Sequence, residues 1–186
     1  MNRVSITAIG KLLLQAVIGS AIMRGLACAL AALIALLPIS AAAQTWHTYG
    51  SNKFGFRIEI PGKPKKKTEQ VKFNGRIIKV TEATANYKKQ DFSVQYGDYK
   101  ADANLDQLLP YIEKGLGAKG SETQLTLNGV PGREVTVNVE GFHTIFRMFI
   151  VDGRRIMFGV SSPESLEADP VAQRFLRSFM LVRKSP

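Results

Sequence analysis

Lys63-Pro64-Lys65-Lys66-Lys67 places four lysines in five positions, and this run is the strongest chemical signal in the sequence. Clustered ammonium groups attract phosphates, anionic lipid headgroups and other polyanions. Lys53, Lys72, Arg76, Lys79, Lys88 and Lys89 lie close by, so residues 53–100 hold 12 basic against 5 acidic side chains. Residues 101–186 hold 10 of each and are neutral. The run has a plainer use as well, because lysine on a strand edge or loop keeps it soluble and blocks edge-to-edge pairing. Either way, Lys63, Lys65, Lys66 and Lys67 are expected to be exposed and mobile just past a strand end, adding little to folding.

The residue types that catalysis and metal binding need are sparse. His47, beside Trp46, reads as a surface residue, and His143, after Gly141-Phe142, as the start of a strand. No spacing supplies the three or four convergent ligands of a zinc site. Ser161-Ser162-Pro163 lacks the flanking glycines of a nucleophile elbow, so Ser162 reads as a cap or turn. Glu164 and Glu167 are spaced for an acid pair on one helical face, but with no partner base they read as solvated. Gly115-Leu116-Gly117 follows a helical pattern and lacks the third glycine of a dinucleotide fingerprint. Tyr96-Gly97-Asp98-Tyr99 reads as a bulge whose tyrosine pair rims a groove. The expectation is no enzyme, no metal and no cofactor.

These residues must be positioned by a chain of 186 residues that is 45% hydrophobic and 22% charged, the composition of a globular domain and not of a rod or a disordered tail. Part of that length reads as an export signal. Met23-Arg24 precedes an apolar run from Gly25 to Leu37, and Ala41-Ala42-Ala43 supplies a small-residue cleavage site. The run is short of the roughly 20 apolar residues that span a bilayer. The expectation is therefore a leader over residues 1–43, with the true start at Met23 and cleavage after Ala43. No membrane anchor would remain. The lone cysteine, Cys28, would leave with the leader, and Gly25 three positions before it does not fit a lipid-attachment site. Losing Arg3, Lys11 and Arg24 takes the net charge from +10 to +7. Export makes a periplasmic or secreted location the expectation, and it argues against nucleic acid as the partner despite the charge.

The remaining residues, 44–186, read as one domain. Phe54, Phe56, Ile58 and Ile60 alternate with Gly55, Arg57 and Glu59, the period of a strand with one buried face. Pro61-Gly62 ends it. A second strand starts near Lys67, turns at Asn74-Gly75 and returns from Arg76 to Tyr87; Phe92, Val94 and Tyr96 continue the meander. Leu105, Leu108, Leu109, Ile112 and Leu116 then recur at helical spacing, with Asp102 or Asn104 as N-cap. Pro110 inside this pattern predicts a kink or a later helix start. Strands resume near Glu122, with turns at Asn128-Gly129 and Asp152-Gly153. Asp169-Pro170 opens a last helix whose apolar stripe is Val171, Phe175, Leu176 and Phe179. Strands, helix, strands, helix argues an α+β fold, an antiparallel β-sheet with helices packed against it.

Four stretches carry a resemblance: Phe54 to Pro64 (FGFRIEIPGKP), Leu127 to Val137 (LNGVPGREVTV), Arg147 to Pro163 (RMFIVDGRRIMFGVSSP) and Phe175 to Leu181 (FLRSFML). Together they resemble bacterial secreted members of the PsbP-like superfamily, the α/β/α sandwich shared with the Ran-binding nuclear import factor. The matching residues are turns and core positions, so the resemblance implies a fold and carries over no site residue. It also implies an accessory or binding role without catalysis. The expectation is thus an exported binding or accessory protein whose partner is an envelope protein, an anionic lipid or another polyanion, met through the basic edge. The alternatives are a small envelope hydrolase, which would need a deep polar pocket at His143 or Glu164, and a protein-assembly factor, which would need a broad apolar patch.

Overall fold

The structure, a computed structural model, describes residues 44–100 and 104–182. The leader assigned to residues 1–43, and Asp102 as a candidate cap, lie outside the described residues. Among the described residues there are ten strands and two α-helices: β1 (Trp46–Ser51), β2 (Phe56–Pro61), β3 (Lys65–Phe73), β4 (Arg76–Tyr87), β5 (Gln90–Asp98), α1 (Leu108–Leu116), β6 (Gly120–Leu127), β7 (Val130–Val139), β8 (Phe142–Val151), β9 (Arg154–Ser162), α2 (Pro170–Arg177) and β10 (Met180–Leu181). All strand pairings are antiparallel. The α+β class expected from the sequence is the one observed.

Seven strands form one sheet in the order β3-β4-β5-β9-β8-β7-β6. It consists of two meanders joined where β5 pairs with β9, Phe92 opposite Val160 and Val94 opposite Phe158. The hairpins close at Asn74-Gly75, Asn128-Gly129, Glu140-Gly141 and Asp152-Gly153, each with positive φ at both residues. That is the turn whose twist matches the strands it joins. A second sheet of three strands, β1-β2-β10, lies over one face of the large one. Phe56, Ile58 and Ile60 of β2 pack there with Phe158 and with Phe175 and Leu176 of α2. Each fully buried side chain of this kind stabilises the fold by about 1.5–3 kcal/mol relative to exposure. On the opposite face α1 sets Leu108 and Ile112 on Val135, Val137 and Met148.

A side-chain cap opens each helical run. Asn104 Oδ1 accepts from the Asp106 amide (2.8 Å) and opens a single 3-10 turn, Leu105–Gln107, ahead of α1. Pro110 is therefore the third residue of α1, where a missing N–H leaves no intrahelical bond unmade. The later start holds. Asp169 Oδ1 accepts from Val171 (2.9 Å) and Ala172 (2.7 Å), with Pro170 as the first residue of α2.

Four sequence expectations need correction. The lysine run is not a mobile stretch past a strand: Lys65, Lys66 and Lys67 are the first residues of β3, opposite Thr84, Ala83 and Glu82. The tight Asn74-Gly75 turn fixes the register, and β4 is long enough to continue the ladder back to Lys65. No bulge interrupts Tyr96-Gly97-Asp98, which pairs without a break with Ile156, Arg155 and Arg154. Tyr96 consequently faces the core under β2, while Tyr99 packs with Ile78 and Val80 in a separate cluster, so the two tyrosines rim no common groove. Glu164 and Glu167 fall in an irregular segment, not on a helix, and both are exposed.

Candidate functional site

β3 is an edge strand, and the lysine run forms its start. Lys63 lies in the preceding turn, with Gly62 at φ 73°, and all four lysines are exposed. Because side chains alternate along a strand, the run is split between two faces. Lys65 and Lys67 share the α1 side of the sheet with Glu69, Val71 and Phe73; Lys66 lies on the side of the three-stranded sheet, its Nζ 5.7 Å from the centre of the Phe54 ring.

Two carboxylates stand near Lys67. Glu69 is ion-paired with it, and Glu82 is its cross-strand partner. The Glu69 contact raises the Lys67 ammonium above its ordinary value. Burial pushes the Glu82 carboxyl up, and the Glu69 charge adds to this while Lys67 opposes it. The structure thus keeps Lys63, Lys65 and Lys66 available to an external anion and ties Lys67 to a carboxylate of its own strand.

The histidines stand apart from this edge and from each other. His143 Nδ1 is 2.8 Å from Asn138 Oδ1 across the β7–β8 pair. His47 lies on β1 opposite Ile60. Among the described residues no group of three or more His, Cys, Asp or Glu side chains is placed to hold a metal ion.

A cleft of about 520 Å³ opens where the β1–β2 connection meets the ends of β5 and β9, lined by Phe54, Asp98, Val130, Asp152, Arg154 and Leu181 among others. Arg154 is fully engaged in holding these walls together. Its Nε and Nη2 donate to the two oxygens of Asp98 (2.6 and 3.2 Å), and Nη1 donates to the carbonyls of Phe54 (2.8 Å) and Lys53 (3.2 Å). A smaller cavity of about 40 Å³ lies between α1 and the large sheet. There the Arg155 guanidinium stacks 3.8 Å from the Tyr99 ring and donates to its hydroxyl, with the Tyr111 ring 6.0 Å away. Neither space is lined by His143, Glu164 or the lysine run.

Sequence reading missed the arginines of β8 and β9. Arg147 donates from Nε to Glu134 (2.7 Å) and from Nη1 to the Leu176 carbonyl (2.9 Å), closing the C-terminal end of α2 onto the sheet. Arg147 interrupts the apolar run from Ile145 to Val151 of β8, and that interruption was the available signal. Its partners become visible only once the strands are paired.

No protein-family model matches the chain, and no curated protein is similar to it in sequence. Among solved structures, cyanobacterial PsbP (CyanoP) from Synechocystis sp. PCC 6803 is similar over 77% of this chain and 96% of that one, with a TM-score of 0.52 and 13% identity. A Pseudomonas aeruginosa protein of unknown function matches over 63% of this chain and 82% of its own, with a TM-score of 0.30 and 8% identity. The first likeness is one of fold: the two sheets and two helices described above are a PsbP-like α+β arrangement.

Proposed function

We propose that the chain is an exported, non-catalytic binding or accessory protein that meets an anionic component of the cell envelope through its basic edge strand. The observation that carries the reading is the start of β3, where Lys65 and Lys66, with Lys63 in the turn before them, stand exposed at the rim of the large sheet. The arginines that line the two cavities are engaged with Asp98, with backbone carbonyls and with Tyr99, and so serve the fold. Among the described residues no helix is long and apolar enough to cross a membrane. An accessory role is what the PsbP-like fold suggests, and export rests on the leader read in residues 1–43.

The test changes Lys65, Lys66 and Lys67 to Gln. Binding to lipopolysaccharide and to anionic vesicles at low ionic strength should fall about tenfold or more, since each basic residue at an anionic surface contributes roughly fivefold. Raising salt should abolish the wild-type binding, as the Debye length shrinks from about 10 Å at 0.1 M to about 3 Å at 1 M. Equal binding by wild type and variant, or none by either, would reduce the run to a solubilising edge.

A further inference from the structure

The β3–β4 hairpin sorts its charges by face. Strand alternation and the tight turn at Asn74-Gly75 set Lys66, Thr68, Gln70 and Lys72 of β3 on the same side as Ile77 and Lys79 of β4, and all six are exposed. The hairpin's two carboxylates, Glu69 and Glu82, point to the other side with Lys65 and Lys67. Among the described residues no ion pair involves Lys66, Lys72 or Lys79. The next acid on this face, Asp98 of β5, is held bidentately by Arg154.

The hairpin's own share of this face therefore carries positive charge only, beside the three-stranded sheet that Lys66 approaches at Phe54. Lys72 and Lys79 are diagonal neighbours across the ladder near the turn, and Lys66 lies six residues along β3 from Lys72, about 20 Å away. Between Lys72 and Lys79 stands Ile77, 72% exposed and directly opposite Lys72. An isoleucine held in water between two lysines has no role in the core. Against a hydrated polyanion it would also stay in water. A lipid surface, however, offers phosphates at the level of the lysines and an apolar layer just beneath.

We propose that this face of the hairpin docks on an anionic lipid bilayer, with Lys66, Lys72 and Lys79 against the headgroup phosphates and Ile77 entering the interface. The proposal rests on the reading of the basic edge given above and narrows it to one face and one kind of partner. Lys65 and Lys67 would then act only as background charge.

The experiment measures partition onto vesicles of phosphatidylcholine alone and of phosphatidylcholine with an equal part of phosphatidylglycerol. It compares wild type, K66Q/K72Q/K79Q, K65Q/K67Q and Ile77→Ser. Every variant carries the same chain outside the hairpin, so differences between them read the hairpin. All changed residues are exposed, and circular dichroism melts check that each variant stays folded. On the anionic vesicles K66Q/K72Q/K79Q should lose about a hundredfold and K65Q/K67Q less than about tenfold. Ile77→Ser should lose about tenfold, a loss that persists as salt rises because it is not electrostatic. Equal losses in the two lysine variants would overturn the face assignment and leave the diffuse basic edge standing. Unchanged vesicle binding by Ile77→Ser would overturn the bilayer as the partner. Failure of wild type to bind the anionic vesicles more tightly than the neutral ones would overturn both the docking face and an anionic-lipid role for the edge.

Discussion

The large sheet ends in two edge strands that solve the same problem differently. At the β6 edge the charges are matched within the protein. Arg133 donates to Glu122 (2.8 Å) and to Asp106 (2.9 Å), Arg147 pairs with Glu134 (2.7 Å), and the Glu113 carboxylate of α1 accepts from the Gly120 amide (3.0 Å). Helix α1 lies over this end and removes Val135 and Val137 from water. At the β3 edge the lysines outnumber the carboxylates, and the cationic face of the hairpin is left to solvent. Lysine along an edge prevents another strand from adding to it, and the same lysines leave a positive field facing outward. The contrast separates an edge that belongs to the fold from one that is free to meet something else.

The largest effect that sharpens the contrast is expected under α1. Ile112→Ala empties a buried site between the helix and β7, and should cost about 3 kcal/mol. For a domain of this size that lowers the melting temperature by about 10 °C. Arg133→Met comes next. The arginine side chain is 17% exposed and holds both Glu122 and the 3-10 turn before α1, so its loss should cost about 2 kcal/mol, or about 6 °C, read by the same thermal melts.

A smaller and more diagnostic effect comes from pH, because one carboxylate near each edge is shifted in the opposite sense. The Gly120 amide holds Glu113 below its ordinary 4.5, with Lys119 assisting. A depressed carboxyl contributes stability that is present above the unfolded value and lost as pH falls through the folded one. Burial and the Glu69 charge raise Glu82 above 4.5. Its contribution is full below 4.5 and lost as pH rises through the folded value. Glu113→Gln should therefore lower the melting temperature at neutral pH, and Glu82→Gln should raise it slightly, its gain in stability staying below about 1 kcal/mol after solvent screening. Both differences should vanish once the carboxyls are protonated. Shifts of the same sign in both variants would remove the electrostatic distinction between the edges.

Much of the fold was written locally. The hairpin turns at Asn74-Gly75, Asn128-Gly129 and Asp152-Gly153, the Asp169-Pro170 start of α2 and the apolar alternation on β2 and β5 follow from periods and dipeptides that need no tertiary partner. The three-stranded sheet was not legible. Trp46–Ser51 is half-buried along nearly its whole length and shows no alternation, and Met180–Leu181 is two residues whose pairing with Arg57 and Phe56 exists only after α2 has turned the chain back. The β5–β9 junction that joins the meanders likewise depends on contacts about 65 residues apart, which no local period encodes. For the candidate edge, residue type was visible and register was not. Once β3 is known to begin at Lys65, alternation alone divides the run into Lys65 and Lys67 on one side and Lys66 on the other. That same division brings Ile77 into view between Lys72 and Lys79, which composition had offered only as scattered charge.

Under the proposed function, stability and binding fall on opposite edges of the large sheet, and one paired measurement separates them. Melting temperature and partition onto anionic vesicles are recorded for Arg133→Met and for K65Q/K66Q/K67Q on the same samples. Arg133→Met should melt about 6 °C lower and bind as wild type, while the lysine variant should melt as wild type and bind about tenfold more weakly. A lysine variant that loses stability while keeping its binding, or an Arg133→Met protein that loses both in equal measure, would contradict that separation.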